Sequence, residues 1–136
     1  MTMNGINYII TILGTISCLL SCEVDESQYL EKASNPAHLH KAQKMLTDVM
    51  IHDIFSPPVA SRIYVYSSIA AYETMVAGNP GFISLAGQLT ALDKIPTPNK
   101  DHQICFPVAA VHAYVKVGTR LIFSEDKMDD FISEMH

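Results

Sequence analysis

The stretch HDIFSPPVASRIYVYSSIAAYET, residues 52–74, decides how the rest of the chain is read. Pro57 disfavours helical geometry at Ser56, and Pro58 has no amide proton to donate, so one helix must stop before this pair and another can start on it. Beyond the prolines, Ala60, Ile63, Ser67, Ala70 and Thr74 recur at helical spacing and are nearly all small. A small-residue stripe lets a second helix approach closely, while Tyr64, Tyr66 and Tyr72 cover its flanks. The pattern predicts a central helix that ends at Gly78-Asn79-Pro80-Gly81, where helix-stop and turn residues gather.

Upstream, Asn35-Pro36 reads as an N-cap followed by proline at the first helical position. Leu39, Ala42, Leu46, Val49 and Met50 then mark the apolar face of a helix expected to reach about Phe55. Downstream, residues 82–92 are expected to form a short helix through Leu85, Leu89 and Leu92, followed by the proline-rich loop KIPTPNKD. Phe106-Pro107 opens a third long helix, with Val108, Val111, Val115 and Ile122 on its apolar face and Ala109, Ala110 and Ala113 keeping it slim. Ser124 is the expected N-cap of a last helix, SEDKMDDFISEMH, whose early acidic residues suit the positive end of the helix dipole. No strand pattern or repeat competes, so the fold class is all-α. The last helical pattern runs to His136 with no stop signal, which leads us to expect that the domain continues.

The N-terminus reads differently. No charged side chain occurs before Glu23, and the apolar run from Ile6 to Leu20 is shorter than the roughly 20 residues of a membrane-spanning helix. It matches the core of a signal peptide over residues 1–21. Its ending, Leu19-Leu20-Ser21-Cys22, resembles a bacterial lipobox, which implies cleavage before Cys22 and acylation of its thiol. The same run also fits an uncleaved anchor or a start codon placed too far upstream, and on each reading it meets a membrane. Residues 22–36 are polar and acidic and read as a tether, leaving 37–136 as the helical body. The expected location is the cell envelope, lipid-anchored and facing the periplasm or exterior.

At 136 residues, with 49% hydrophobic side chains, the chain has the composition of one packed domain. A net charge of -5 with only nine Lys and Arg, none clustered, offers no footprint for nucleic acid. Of the three cysteines, Cys18 would leave with the signal and Cys22 would be acylated. Cys105 would then remain without a disulfide partner and pack as a small hydrophobe. His102, Cys105 and His112 are metal-ligand residue types, but their spacing lacks the tight pairs of a structural zinc site, so a metal is not expected. Asp48 and His52 could pair on one helix face. Arg62 and Glu73 stand about 16 Å apart along a helix axis and so need separate partners, with Asp53 the candidate for Arg62.

Residues 52–74, together with LAGQL at 85–89 and LIFSEDKMDDF at 121–131, resemble the N-terminal helices of bacterial vanadium-dependent haloperoxidase-like proteins, within the type 2 phosphatidic acid phosphatase superfamily. The characteristic Pro-x-x-Ala-Arg with Ala-x-Tyr-Asp/Glu downstream appears here as Pro57, Ala60, Ser61, Arg62, Ala70, Ala71, Tyr72 and Glu73. The resemblance spans about residues 30–136 and implies a helical-bundle subdomain, the N-terminal portion of a haloperoxidase-like fold. For a complete member it implies phosphate or vanadate held between helices, and either phosphate-ester hydrolysis or halide oxidation with peroxide.

The motifs that hold the oxyanion in that family are Lys-x6-Arg-Pro, Pro-Ser-Gly-His and Ser-Arg-x5-His-x3-Asp, and none occurs here. Seven residues before Arg62 and Arg120 stand Phe55 and Ala113, not lysine, and Ser68 occupies the place of the histidine that Ser61-Arg62 would require. A multiply charged anion needs several Arg or Lys donors, which two distant arginines do not supply. The expectation is therefore an N-terminal scaffold with no catalytic, cofactor-binding or metal-binding residue of its own. Its partners would be a membrane through Cys22, and either downstream helices or a second copy. The competing reading is a stand-alone helical lipoprotein that serves as a binding module.

Overall fold

The computed structural model describes residues 26–99 and 101–134. Cys22 and the apolar run before it lie outside those residues. Five helices follow in order: α1 Glu26–Ala33, α2 Ala37–His52, α3 Pro57–Gly78, α4 Phe106–Thr119 and α5 Asp126–Glu134. No strand is present among the described residues, in line with the all-α reading.

Helix α1 falls inside the polar segment read as a tether. The His38 ring Nε2 donates to the Lys32 carbonyl at 3.0 Å, and Asn35 Oδ1 accepts the Ala37 amide at 2.9 Å, joining α1 to the start of α2. Helix α2 buries Ala42, Leu46, Val49 and Met50, as its spacing predicts. It stops at His52, short of the expected Phe55. The Phe55 amide reaches back to the Met50 carbonyl and the Ile54 amide to that of Ile51, both at 3.1 Å. This is a Schellman closure, which requires a left-handed residue between the two donors. Ile54 takes that conformation, with φ of 58°.

Helix α3 begins and ends where the prolines and Gly78 place it. It runs antiparallel to α4: a Cβ on Gly78 would strike the Phe106 ring, and one on Gly118 would stand 2.9 Å from a Leu46 methyl and 3.2 Å from Ser67 Oγ. The central helix, however, is α4 rather than α3. Helix α4 packs on α3, α2 and α5, whereas α3 packs chiefly on α4. Its buried positions, Ala110, Val111, Tyr114, Val115, Gly118 and Thr119, spread over more than one face, so it has apolar surface for several neighbours. The small stripe of α3 is only half used. Ile63 and Ser67 are buried, but Ala60, Ala70 and Thr74 remain half-buried.

Helix α5 closes the core with Met128 and Phe131. Ser124 does not cap it. Its hydroxyl donates to Asp53 Oδ1 at 2.5 Å, while Asp53 Oδ2 accepts the Phe123 and Ser124 amides at 2.9 and 3.1 Å. One carboxylate at the end of α2 thus holds the α4–α5 turn. Phe55 and Phe123 stack beside it with ring centroids 4.9 Å apart. The expected helix at 82–92 is also absent. Left-handed Gly87 (φ 75°) and Ala91 (φ 66°) interrupt it, and the Gly87 amide instead donates to the Leu92 carbonyl at 2.7 Å, folding the segment into a compact loop.

Candidate functional site

The adjacent pair Tyr72-Glu73 on α3 positions the loop that walls an open, mostly apolar cavity. The Tyr72 hydroxyl donates to the Ile83 carbonyl at 2.8 Å. Glu73 is 5% exposed; its Oε2 accepts the Ser84 hydroxyl at 2.7 Å and its Oε1 the Leu85 amide at 2.6 Å. Ser84 in turn accepts the Ala86 amide, and its carbonyl accepts the Gln88 side-chain amide. A buried carboxylate is costly unless hydrogen-bonded, and here both oxygens are used to fix the chain reversal after α3.

With that loop in place, α3, α4 and residues 89–98 enclose an open groove of about 1020 Å³. Ala70, Thr74 and Ala77 of α3 and Ala109 and Ala113 of α4 form its floor, flanked by Tyr66, Ile69 and Ile95. A second recess of about 530 Å³ lies between α2, α3 and α4 and includes Tyr114 in its wall. Burial, with Tyr64 nearby, pushes the Tyr114 phenol up to about 12. Its hydroxyl and Ser67 Oγ are both buried and find no hydrogen-bond partner among the described residues.

The sequence-selected residues do not converge on one centre. Pro57 and Ala60 shape the first turns of α3, Ala70 lines the groove, and Tyr72 and Glu73 tie down the loop. Arg62 is exposed and makes no ion pair or hydrogen bond with another described residue, so the expected pairing with Asp53 does not form. Asp53 is taken by the α4–α5 turn instead. Asp48 pairs with Lys44 at 2.6 Å rather than with His52. Arg120 meets Glu125 at 3.4 Å. Cys105 is a half-buried free thiol, His102 and His112 are exposed, and no three His, Cys, Asp or Glu side chains come together among the described residues. Nor is any described helix long and apolar enough to cross a membrane.

The arrangement offers an apolar trough whose buried carboxylate is already satisfied. Two features escaped sequence reasoning. Asp53 and Ser124 are 71 residues apart, and nothing local announces the contact. Glu73 did carry a signal, as a lone acid among the apolar residues of α3, but its partners follow in the next loop and not on another helix.

The chain matches a solved structure, the crystal structure of the first bacterial vanadium-dependent iodoperoxidase, with a TM-score of 0.71 and 47% sequence identity over 74% of this chain. The fold is haloperoxidase-like. The match takes in 24% of the iodoperoxidase, so this chain spans about a quarter of that protein's length. No family model matches the chain, and no curated protein is found similar to it. Residues 57–73 lie on α3, and α4 is the helix it packs on.

Proposed function

We propose that this chain is the N-terminal scaffold of a haloperoxidase-like protein, either a vanadium-dependent haloperoxidase or an acid-phosphatase-like enzyme, and that by itself it catalyses neither reaction. The observation that carries the reading is the 47% identity to an iodoperoxidase confined to 24% of that chain. The chemistry of the side chains supports it. Vanadate and phosphate need convergent cationic donors. The residues present do not fit that demand: Arg62 points into solvent, Arg120 is engaged by Glu125, and the groove is walled by alanines and aliphatic side chains. No step through the oxyanion is therefore assigned to these residues. Their work is to bury α4, to fix the 83–86 reversal and to present the groove.

The purified chain, titrated with orthovanadate and assayed with iodide and peroxide and with a phosphate monoester, is expected to retain no vanadate and to show no turnover above buffer. Vanadate-dependent iodide oxidation by this chain would overturn the proposal. We further propose export and acylation at Cys22, on the strength of the lipobox-like Leu19 to Cys22. A bacterial product that partitions into detergent and loses this on Cys22→Ser substitution is expected; partitioning unchanged by the substitution would refute acylation there.

A further inference from the structure

Independently of the scaffold reading, we propose that the recess between α2, α3 and α4 binds a small uncharged ring compound bearing a carbonyl oxygen, with the Tyr114 hydroxyl as the donor to that oxygen. At about 530 Å³ the recess has the size of a small-molecule site. Its walls come from the α1–α2 junction, from three helices and from Phe82 in the loop after α3.

Tyr114 stands in that wall and is 3% exposed, yet its hydroxyl has no hydrogen-bond partner among the described residues. A buried hydroxyl left unbonded is costly, and a chain that keeps one has a partner for it from elsewhere. Ser67, the other such hydroxyl, needs no outside acceptor. A short side chain on a helix can turn back to the carbonyl four residues earlier, as Thr47, Thr74 and Thr119 do in this chain. A phenol is too long and too stiff to do so. Tyr64 does not serve either, because its hydroxyl pairs with Thr47 at 2.7 Å. Burial keeps the Tyr114 phenol protonated up to about 12, so what it offers is a proton.

The rest of the lining sets the body of the ligand. No charged side chain lines the recess among the described residues, and an ion seated there would lose its hydration with nothing to replace it. Tyr72 and Phe82 stand edge to face with centroids 6.1 Å apart, and the bond from the Tyr72 hydroxyl to the Ile83 carbonyl pins the ring, giving a preformed aromatic wall. Leu39, Met75, Ala110 and Val111 extend an apolar surface suited to a flat hydrocarbon. The Tyr114 hydroxyl is closed to bulk water, so a ligand reaches it by displacing a neighbouring side chain. Gln43 and Met75, both unbranched, are the adaptable members of the lining. Once made, the bond is sheltered from competing water and is stronger than it would be at the surface.

The test is equilibrium dialysis of the complete chain against acetylnaphthalene, a two-ring ketone, and against ethylnaphthalene, which has nearly the same shape and no acceptor. The ketone is expected to bind at about one equivalent per chain and about three- to tenfold more tightly than the hydrocarbon, the share of one hydrogen bond. Tyr114→Phe should erase that preference and leave ethylnaphthalene binding unchanged. Without ligand the same variant should melt at the wild-type temperature or above it, because an unbonded hydroxyl has been removed. Ser68 is exposed and lines the recess, so Ser68→Trp should fill it and abolish binding of both compounds, whereas Ala77→Glu in the α3–α4 groove should leave both intact.

The assignment fails if neither compound binds, if wild type holds ketone and hydrocarbon equally well, or if the preference survives Tyr114→Phe. It fails equally if Ala77→Glu abolishes binding while Ser68→Trp spares it, which would place the compounds in the other groove. A ligand-free Tyr114→Phe chain that melts below wild type would show that the hydroxyl has a partner within the chain, and would overturn the assignment too.

Discussion

Asp53 gives the sharpest test of how the bundle is held. Its carboxylate accepts three hydrogen bonds from the α4–α5 turn, two from backbone amides and one from the Ser124 hydroxyl. Replacing a capping carboxylate by alanine costs about 0.5–2 kcal/mol, and hydrogen bonds to a charged group contribute about 1.5–3 kcal/mol each when shielded. Asp53 is partly solvated, so water re-satisfies much of what is lost. We expect Asp53→Ala to cost about 2 kcal/mol, or a fall of about 1 M in the urea midpoint. Asp53→Asn, which keeps the shape and one acceptor oxygen, should cost about half as much.

Acidity supplies an independent check. Burial alone would raise the Asp53 pKa, but hydrogen bonds from the Ser124 side chain, the Ser124 amide and the Phe123 amide, aided by the His52 charge, outweigh it and hold the pKa below the ordinary carboxylate value. A carboxyl depressed in the folded state contributes stability that is present above its unfolded value, about 3.9, and is lost as pH falls through the folded one. The gap between wild type and Asp53→Asn in urea unfolding followed by circular dichroism should be full at neutral pH and close as the pH drops below about 4. An Asp53→Ala variant within about 0.5 kcal/mol of wild type, or a gap to Asp53→Asn that is the same at neutral and acid pH, would refute the clamp.

Glu73→Ala should destabilise by about 2–3 kcal/mol, since it strands a buried hydroxyl and amide. Hydrogen exchange at the Leu85 amide should accelerate with it, and protection equal to wild type would show that the loop is held by other contacts. Ile54→Gly should be mildly stabilising, by about 0.5 kcal/mol. It relieves a left-handed β-branched residue, worth about 1–2 kcal/mol, against the extra backbone entropy of glycine. The Ile54 side chain is 88% exposed and so has little burial to lose. A thermal melt lowered by more than about 3 °C would contradict this.

Much of the architecture follows from local chemistry. Pro57-Pro58 and Pro80 bound α3 because proline lacks a donor, while Gly78, its last residue, leaves room for the Phe106 ring. The apolar spacing of α2 named its buried residues Ala42, Leu46, Val49 and Met50 in advance. The absence of the oxyanion motifs is likewise a property of the sequence alone. Where reading failed, the cause was competition at a distance. Ser124 has the residue type and place of an N-cap, a role in which its oxygen would accept a helix amide, yet its hydroxyl is turned to donate to a full carboxylate 71 residues away. The leucine spacing of 82–92 suits a helix, yet left-handed Gly87 and Ala91 fold it into a loop that Glu73 ties to α3.

Centrality was the other matter that spacing left open. A small stripe on α3 states that something approaches closely, and periodicity cannot say how many neighbours a helix gathers. Tertiary packing gave that role to α4, whose apolar residues cover more than one face, and left Ala70 and Thr74 facing the groove. The sequence by itself determined where the longer helices α2, α3 and α4 lie and which oxyanion motifs are missing, because propensity, caps and charge are properties of neighbouring residues. The tertiary structure decided which carboxylate holds which turn and which face remains open, because those depend on distances that only the folded chain creates.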